Sequence, residues 1–254
     1  YLDSAGKPQF QLSQSGHLAS GVPGTIAGLF ASHAYAKLPF PTLIQPAIDL
    51  AEKGFVITQH EADGLNGTRT AFLKNSTRPT AFVRDRPWKA GDTLVQVELA
   101  GTLKRIRDNG QKGFYEGETA RLIVEEMQRG KGLITLDDLR QYKAVSREPM
   151  SFPYKGYTIM SMPLPSSGGI IIEQMLKMVQ KGDLAAMGFQ TPASVQLIIE
   201  AERRAYADRA EFMGDPDYVK VPVKTLVSDA YITQRMADYL SLIHISEPTR
   251  RRGI

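Results

Sequence analysis

The chain has 254 residues, 42% hydrophobic and 23% charged, which suffices for one large domain or two small ones and is not the composition of a disordered chain. Zero cysteines exclude disulfides, thiol nucleophiles and zinc-thiolate sites while leaving the compartment open. Arg250, Arg251 and Arg252 less Glu247 supply +2 of the formal +4, so the basic balance does not argue for nucleic acid, and no run reaches the ~18 apolar residues of a membrane helix.

Glycine and proline punctuate a helix-rich pattern. Gly21-Val22-Pro23-Gly24-Thr25 reads as a turn into a helix from about Thr25 to Lys37. A second helix covers Leu43 to Lys53 and stops at Gly54, with Pro46 tolerable only near its first turn. Residues 58 to 90 are the least regular. Leu94 to Asp108 and Glu118 to Arg129 are amphipathic and stop at Gly110 and Gly130. Thr135 to Asp138 has capping-box spacing for a short helix reaching Tyr142. Tyr157 to Met162 alternates as a strand, after which Pro165-Ser166-Ser167-Gly168-Gly169 opens a helix from Ile170 to about Lys181.

Thr191 and Pro192 then start a long helix. Val195, Ile198, Ala201, Ala205 and Phe212 are expected to form its apolar face, with Glu202, Arg203, Arg204 and Arg209 on an exposed or partner-facing side. Gly214 is expected to cap its end, Asp215-Pro216 cannot continue it, and residues 219 to 222 read as a strand-like exit. Ser228 to Leu240 is again helical.

Local chemistry is sparse. The Pro165–Gly169 turn would suit an anion at a helix start, but it lacks the lysine of a phosphate loop and the spacing of GxGxxG, so tight helix-to-strand packing is the better reading. Leu164 stands where a GxSxG elbow needs glycine, which removes Ser166 and Ser167 as nucleophiles. Asp208, Glu211, Asp215 and Asp217 do not follow the alternation of a calcium loop and are read as turn and cap formers. His17, His33, His60 and His244 are dispersed without metal-ligand spacing, so no metal is expected. Met160, Met162, Met175 and Met178 are expected to fill gaps under the helix after the turn, and Trp88 to anchor packing.

Six stretches carry a resemblance. They are SGVPGTIAG at 20 to 28, GDTLVQ at 91 to 96, GFYEGETA at 113 to 120, GLITLDDLRQYKAVSREP at 132 to 149, MPLPSSGG at 162 to 169, and AERRAYADRAEFMGDPDYVKVP at 201 to 222. In this order they closely resemble the large-subunit region of gamma-glutamyltransferases, also called gamma-glutamyltranspeptidases, over about residues 1 to 240. Residues 241 to 254, SLIHISEPTRRRGI, resemble no part of that family and look like translated adapter read-through; they are set apart as a non-native or disordered tail.

The resemblance implies an α+β fold of the N-terminal-nucleophile hydrolase type. The complete protein would be a four-layer αββα sandwich, and this chain an incomplete, mostly helical large-subunit portion of it. It implies a precursor that cuts itself to expose a threonine, whose hydroxyl attacks gamma-glutamyl amides such as glutathione with its own α-amino group as base. The acyl group then passes to water or to an amine. No organic cofactor or metal is implied. The partner is the small subunit of the same precursor, and the setting is periplasmic or secreted. The nucleophilic threonine is expected beyond the C-terminus and a substrate-binding arginine upstream of Tyr1, so no catalytic or substrate-binding residue is assigned to this chain. Alternatives are a self-processing acylase of the same fold or a non-catalytic interaction relative. Half of such a fold exposes apolar surface and strand edges. Expressed alone, the chain should therefore aggregate; a monodisperse, cooperatively melting monomer in analytical ultracentrifugation would contradict this.

Overall fold

The computed structural model describes residues 1–240; the tail and His244 lie outside the described residues. Its contacts fall into two units, residues 1–145 and the residues from Ser146 onward.

In the first unit the helices are α1 (Phe10–Gln14), α2 (Thr25–His33), α3 (Phe40–Lys53), α4 (Gln59–Asn75), α5 (Val97–Asn109), α6 (Lys112–Tyr115), α7 (Gly117–Gly130) and α8 (Leu136–Gln141). Two short strands, β1 (Phe55–Val56) and β2 (Thr93–Leu94), pair antiparallel with Phe55 opposite Leu94. Helices α3 and α5 pack through Ile44, Ile48 and Ile106, joined by Phe30, Phe40 and Phe114. Gly113 lets α6 approach α5, because a Cβ there would collide with the Arg105 carbonyl.

A second cluster gathers three of the motif stretches. Ala27, Tyr115, Ala120, Ile134 and Leu139 are buried together with Val22 and Tyr142 around them. The Tyr115 hydroxyl donates to the Pro23 carbonyl at 2.6 Å and accepts the Ala27 N–H at 3.2 Å, which ties down the entry to α2. Tyr142 stacks on Tyr115 with centroids 5.8 Å apart. Its hydroxyl occupies the space a Cβ on Gly24 would need, so glycine at 24 is a packing requirement.

The stretch expected to be least regular contains α4, 17 residues long. Gly64, Gly67, Thr68 and Thr70 obscure its period. Its start is a capping box that the irregular reading of this stretch missed: the Glu61 carboxylate accepts the Thr58 N–H at 2.7 Å and the Thr58 hydroxyl accepts the Glu61 N–H at 3.3 Å. Trp88 anchors the helix as expected. Asn66 on α4 bonds both the Trp88 N–H and the Trp88 carbonyl, at 2.8 and 2.9 Å, and the indole N–H reaches the Phe82 carbonyl at 2.7 Å. Arg84 lies 3.7 Å over the indole ring, a cation–π contact that packing alone did not require. Asp92, bonded by Arg86 and Arg84, is held well below the usual carboxylate range.

The second unit contains β3 (Met150–Tyr154), β4 (Tyr157–Ser161), α9 (Gly168–Gln180), α10 (Leu184–Met187), α11 (Pro192–Phe212), α12 (Val223–Leu226) and α13 (Asp229–Arg235). The β3–β4 hairpin pairs Tyr154 with Tyr157, and Lys155 (φ 46°) and Gly156 (φ 83°) form the two-residue turn. Only Met178 of the four methionines fills the core. Met175 is half-buried, and Met160 and Met162 are 68% and 67% exposed. Gly214 does not take the left-handed conformation expected of it; α11 ends through an extended Met213, and residues 219 to 222 form no strand.

Helix α11 corrects the amphipathic reading. Val195, Ile198 and Phe212 are exposed at 40%, 42% and 41%, whereas the buried stripe is Ser194, Leu197, Glu200, Ala201, Arg204, Ala205 and Asp208. Arg204, expected on the exposed side, is 2% exposed. Its burial is tolerable because all three guanidinium nitrogens donate hydrogen bonds. The guanidinium pairs with Glu200, donates to Asp238 at 2.6 Å and to the Arg235 carbonyl at 2.7 Å. One turn on, Asp208 accepts from Gln174 Nε2 at 2.8 Å, from the Tyr231 hydroxyl at 2.9 Å and from Arg235 at 3.1 Å. Removing one partner from a buried charged network leaves the others unpaired at a cost of about 3 kcal/mol or more. Asp208→Ala should lower the unfolding free energy by that amount in urea titrations, and a loss below about 1 kcal/mol would show that the network is solvated.

Candidate functional site

Two polar constellations stand out, one in each unit. In the first, the α7 carboxylate of Glu126 is the hub. His17 Nε2 lies 2.7 Å from Glu126 Oε1, the Thr77 hydroxyl donates to Oε1 and Oε2 at 2.8 and 2.7 Å, and Arg129 donates to Oε2 at 2.7 Å. The His17 ring packs onto Gly130, where any Cβ would overlap it. A cleft of about 310 Å³ opens beside it, lined by Gly16, His17, Ser76, Thr77 and Gly130. Burial pulls the Glu126 pKa upward, but hydrogen bonds from Thr77, His17 and Arg129 outweigh it and bring the pKa from 4.5 down to about 2. With both oxygens engaged and the acid strengthened, Glu126 is a clamp rather than a proton acceptor.

The second constellation is the Pro165–Gly169 turn. The α9 start has no side-chain cap; the Ser166 hydroxyl accepts the Gly168 N–H at 3.3 Å, and Arg209 of α11 donates to the Ser167 hydroxyl at 3.0 Å. A Cβ at Gly169 would stand 2.5 Å from the Met162 carbonyl oxygen and 2.9 Å from Met150 Sδ. The glycine therefore serves close packing of α9 on the hairpin, as the spacing suggested.

The remaining residues singled out from sequence are scattered. Asp208 is buried in the network above, Glu211 is exposed, the Asp215 carboxylate accepts the Asp217 N–H at 3.0 Å, and Asp217 pairs with Arg147 at 2.6 Å. His33 bonds the Leu38 carbonyl at 2.9 Å, and His60 lies exposed in the first turn of α4. Among the described residues no group of three histidine or acidic side chains is arranged to hold a metal. Nor does any described histidine bond a hydroxyl side chain. Lys181 donates to the Thr233 hydroxyl on an exposed surface, and that hydroxyl in turn donates to the Asp229 carbonyl. Thr77, Glu126, Gln174, Tyr231 and Arg235 were not marked by sequence reasoning. Apart from Arg129, which neighbours Glu126 on α7, the partners named above lie 23 to 109 residues away, and no spacing rule spans such distances.

The order and content of the motifs decide the family. Residues 1–244 match the model of the gamma-glutamyltranspeptidase family. The chain belongs to that family. It is 44% identical over 95% of its length to the glutathione hydrolase proenzyme of Escherichia coli and 41% identical over 94% to that of Pseudomonas aeruginosa. It covers 42% and 43% of these two proteins, so it spans less than half the length of the relatives it matches. The fold agrees. Helicobacter pylori gamma-glutamyltranspeptidase superposes with a TM-score of 0.89 at 41% identity, covering 93% of this chain and 69% of that one. The Pseudomonas nitroreducens enzyme, solved in complex with L-DON, gives 0.88 at 36% identity, covering 97% and 73%. The chain is thus a mostly helical portion of the N-terminal-nucleophile hydrolase fold, as expected.

The Glu126 clamp makes a signed prediction. A carboxylate whose folded pKa is depressed contributes stability above its unfolded value, and loses it as pH falls. The stability advantage of the native protein over Glu126→Gln should be full above pH 4.5, shrink below it and vanish near pH about 2. Thermal melts across that range check it, and an advantage unchanged by pH would refute the clamp.

Proposed function

We propose that the complete protein cleaves gamma-glutamyl amides such as glutathione and transfers the glutamyl group to water or an amine. The carrying observation is 44% identity over nearly the whole chain to a glutathione hydrolase proenzyme. Acylase ACY 1 proenzyme and the capsule biosynthesis protein CapD proenzyme, both at 36%, are more distant relatives. That ordering favours the gamma-glutamyl reading over the acylase one.

In this reading the chemistry belongs to a threonine freed by self-cleavage, outside this chain. Its hydroxyl forms a gamma-glutamyl ester and its α-amino group, with an ordinary pKa of ~8, accepts the proton near neutral pH. The residues described here build the scaffold. They position motif loops through Tyr115, Tyr142 and the α11 network, and hold no nucleophile with an adjacent base among the described residues. The partner is the small subunit of the same precursor, and the compartment is periplasmic or secreted. No described helix is long and apolar enough to cross a membrane.

The 254-residue chain by itself should release no aniline from a gamma-glutamyl anilide. The full-length product of its gene should do so after self-cleavage, and faster when an amine acceptor is added. Turnover by the isolated chain would overturn the division of labour. Full-length protein that prefers acyl amides lacking the glutamyl α-amino acid would point to the acylase reading instead.

A further inference from the structure

The chain contains three asparagines, Asn66, Asn75 and Asn109, and two of them, Asn66 and Asn109, precede glycine. An Asn-Gly step is where the next residue's backbone nitrogen most readily reaches the side-chain amide, because glycine offers no steric barrier. The fold treats the three differently.

Asn66 sits inside α4 with both ends of its amide held by the Trp88 backbone, at 2.8 and 2.9 Å. Asn75 ends α4, but the N–H of Ser76 donates to the Phe72 carbonyl at 3.0 Å. Asn109 is the exposed last residue of α5. Its amide makes one bond, from Nδ2 to the Arg105 carbonyl at 3.1 Å, within its own fraying turn. Gly110 follows in the left-handed region at φ 62°, and its N–H donates to no acceptor among the described residues. The attacking nitrogen is therefore free, the electrophilic amide exposed, and the residue carrying that nitrogen has no side chain to hinder ring closure.

We propose that Asn109 is a site of spontaneous deamidation. The Gly110 backbone nitrogen attacks Asn109 Cγ and forms an N–C bond. The N–H proton and the amide nitrogen leave together as ammonia, closing a succinimide. Water then opens the ring at either carbonyl, giving aspartate or isoaspartate, with no oxidant or cofactor. The product places a new carboxylate beside Asp108 at the carbonyl end of α5, where the helix dipole already disfavours negative charge. The isoaspartate form also adds a backbone carbon just before the tight approach of Gly113 to Arg105.

Two Asn-Gly steps in one chain supply the control. The purified full-length protein would be incubated folded and, in parallel, in urea, in mildly alkaline buffer. Each asparagine-bearing peptide is then followed by mass spectrometry and by isoaspartate-specific methylation. In urea Asn66 and Asn109 should convert at similar rates. In the folded protein Asn109 should convert about tenfold or more faster than Asn66, whose reaction must wait for local unfolding. Equal folded rates at the two sites, or an Asn109 peptide that stays unmodified while the urea sample converts, would overturn the assignment. Asn109→Gln should abolish the signal at that peptide while leaving the urea rate at Asn66 unchanged; signal persisting in that peptide would overturn it as well.

Discussion

A guanidinium and a carboxylate removed from water destabilise a fold unless every donor and acceptor finds a partner. The second unit depends on meeting that condition along α11. Glu200, Arg204 and Asp208 sit one turn apart on one stripe, so the helix can be buried only in the single rotation and height at which Asp238, the Arg235 carbonyl, Gln174 and Tyr231 all meet it. Apolar contacts through Leu197, Ala201, Met178 and Ile232 supply the burial. They tolerate sliding in a way that a bonded charge does not. The network therefore sets the register between α9, α11 and α13, and with it the place where Arg209 meets Ser167.

The first unit reaches the same end with almost no buried charge. Its fixed point is the Tyr115 hydroxyl, which bonds both sides of the turn into α2, with Tyr142 packed over Gly24. Burial pushes the Tyr115 pKa upward, so the phenol stays protonated and able to donate. The three motif stretches involved are far apart in sequence and act as one object in space. Their shared role is to hold loops in place. That suits a chain that supplies scaffold to a family whose chemistry is proposed to reside elsewhere in the precursor.

Charge is used locally and for different ends across the chain. Around Glu126 three donors turn a part-buried carboxylate into a strong acid that ties α7 to the Thr77 loop and to His17. Around Asp92, Arg84 and Arg86 fix the loop that carries Trp88, and Arg84 also covers the indole face. The Glu126 cluster joins the Thr77 segment to a helix, and the Asp92 cluster ties the 84–92 loop to itself. Loops there have no ladder to hold them, so charge-assisted hydrogen bonds take that role.

Much was legible in the residues alone. The capping box at Thr135, the Thr191-Pro192 start, the strand at Tyr157 and the stops at Gly54 and Gly110 follow from local backbone chemistry, which needs no knowledge of the rest of the chain. The family could likewise be read from six ordered motifs. What the sequence could not show was which face of α11 is inside. Its apolar period pointed to Val195, Ile198 and Phe212, whereas Glu200, Arg204 and Asp208 are buried, because the partners that make burial of charge tolerable lie tens of residues away. Helix α4 was hidden by its glycines and threonines, and Trp88, bonded across 22 residues to Asn66, holds it in place. Local sequence determined where elements begin and end, since caps, glycines and prolines act within one turn of backbone. Tertiary structure alone decided which charges could leave water, because that depends on partners brought together only by the fold.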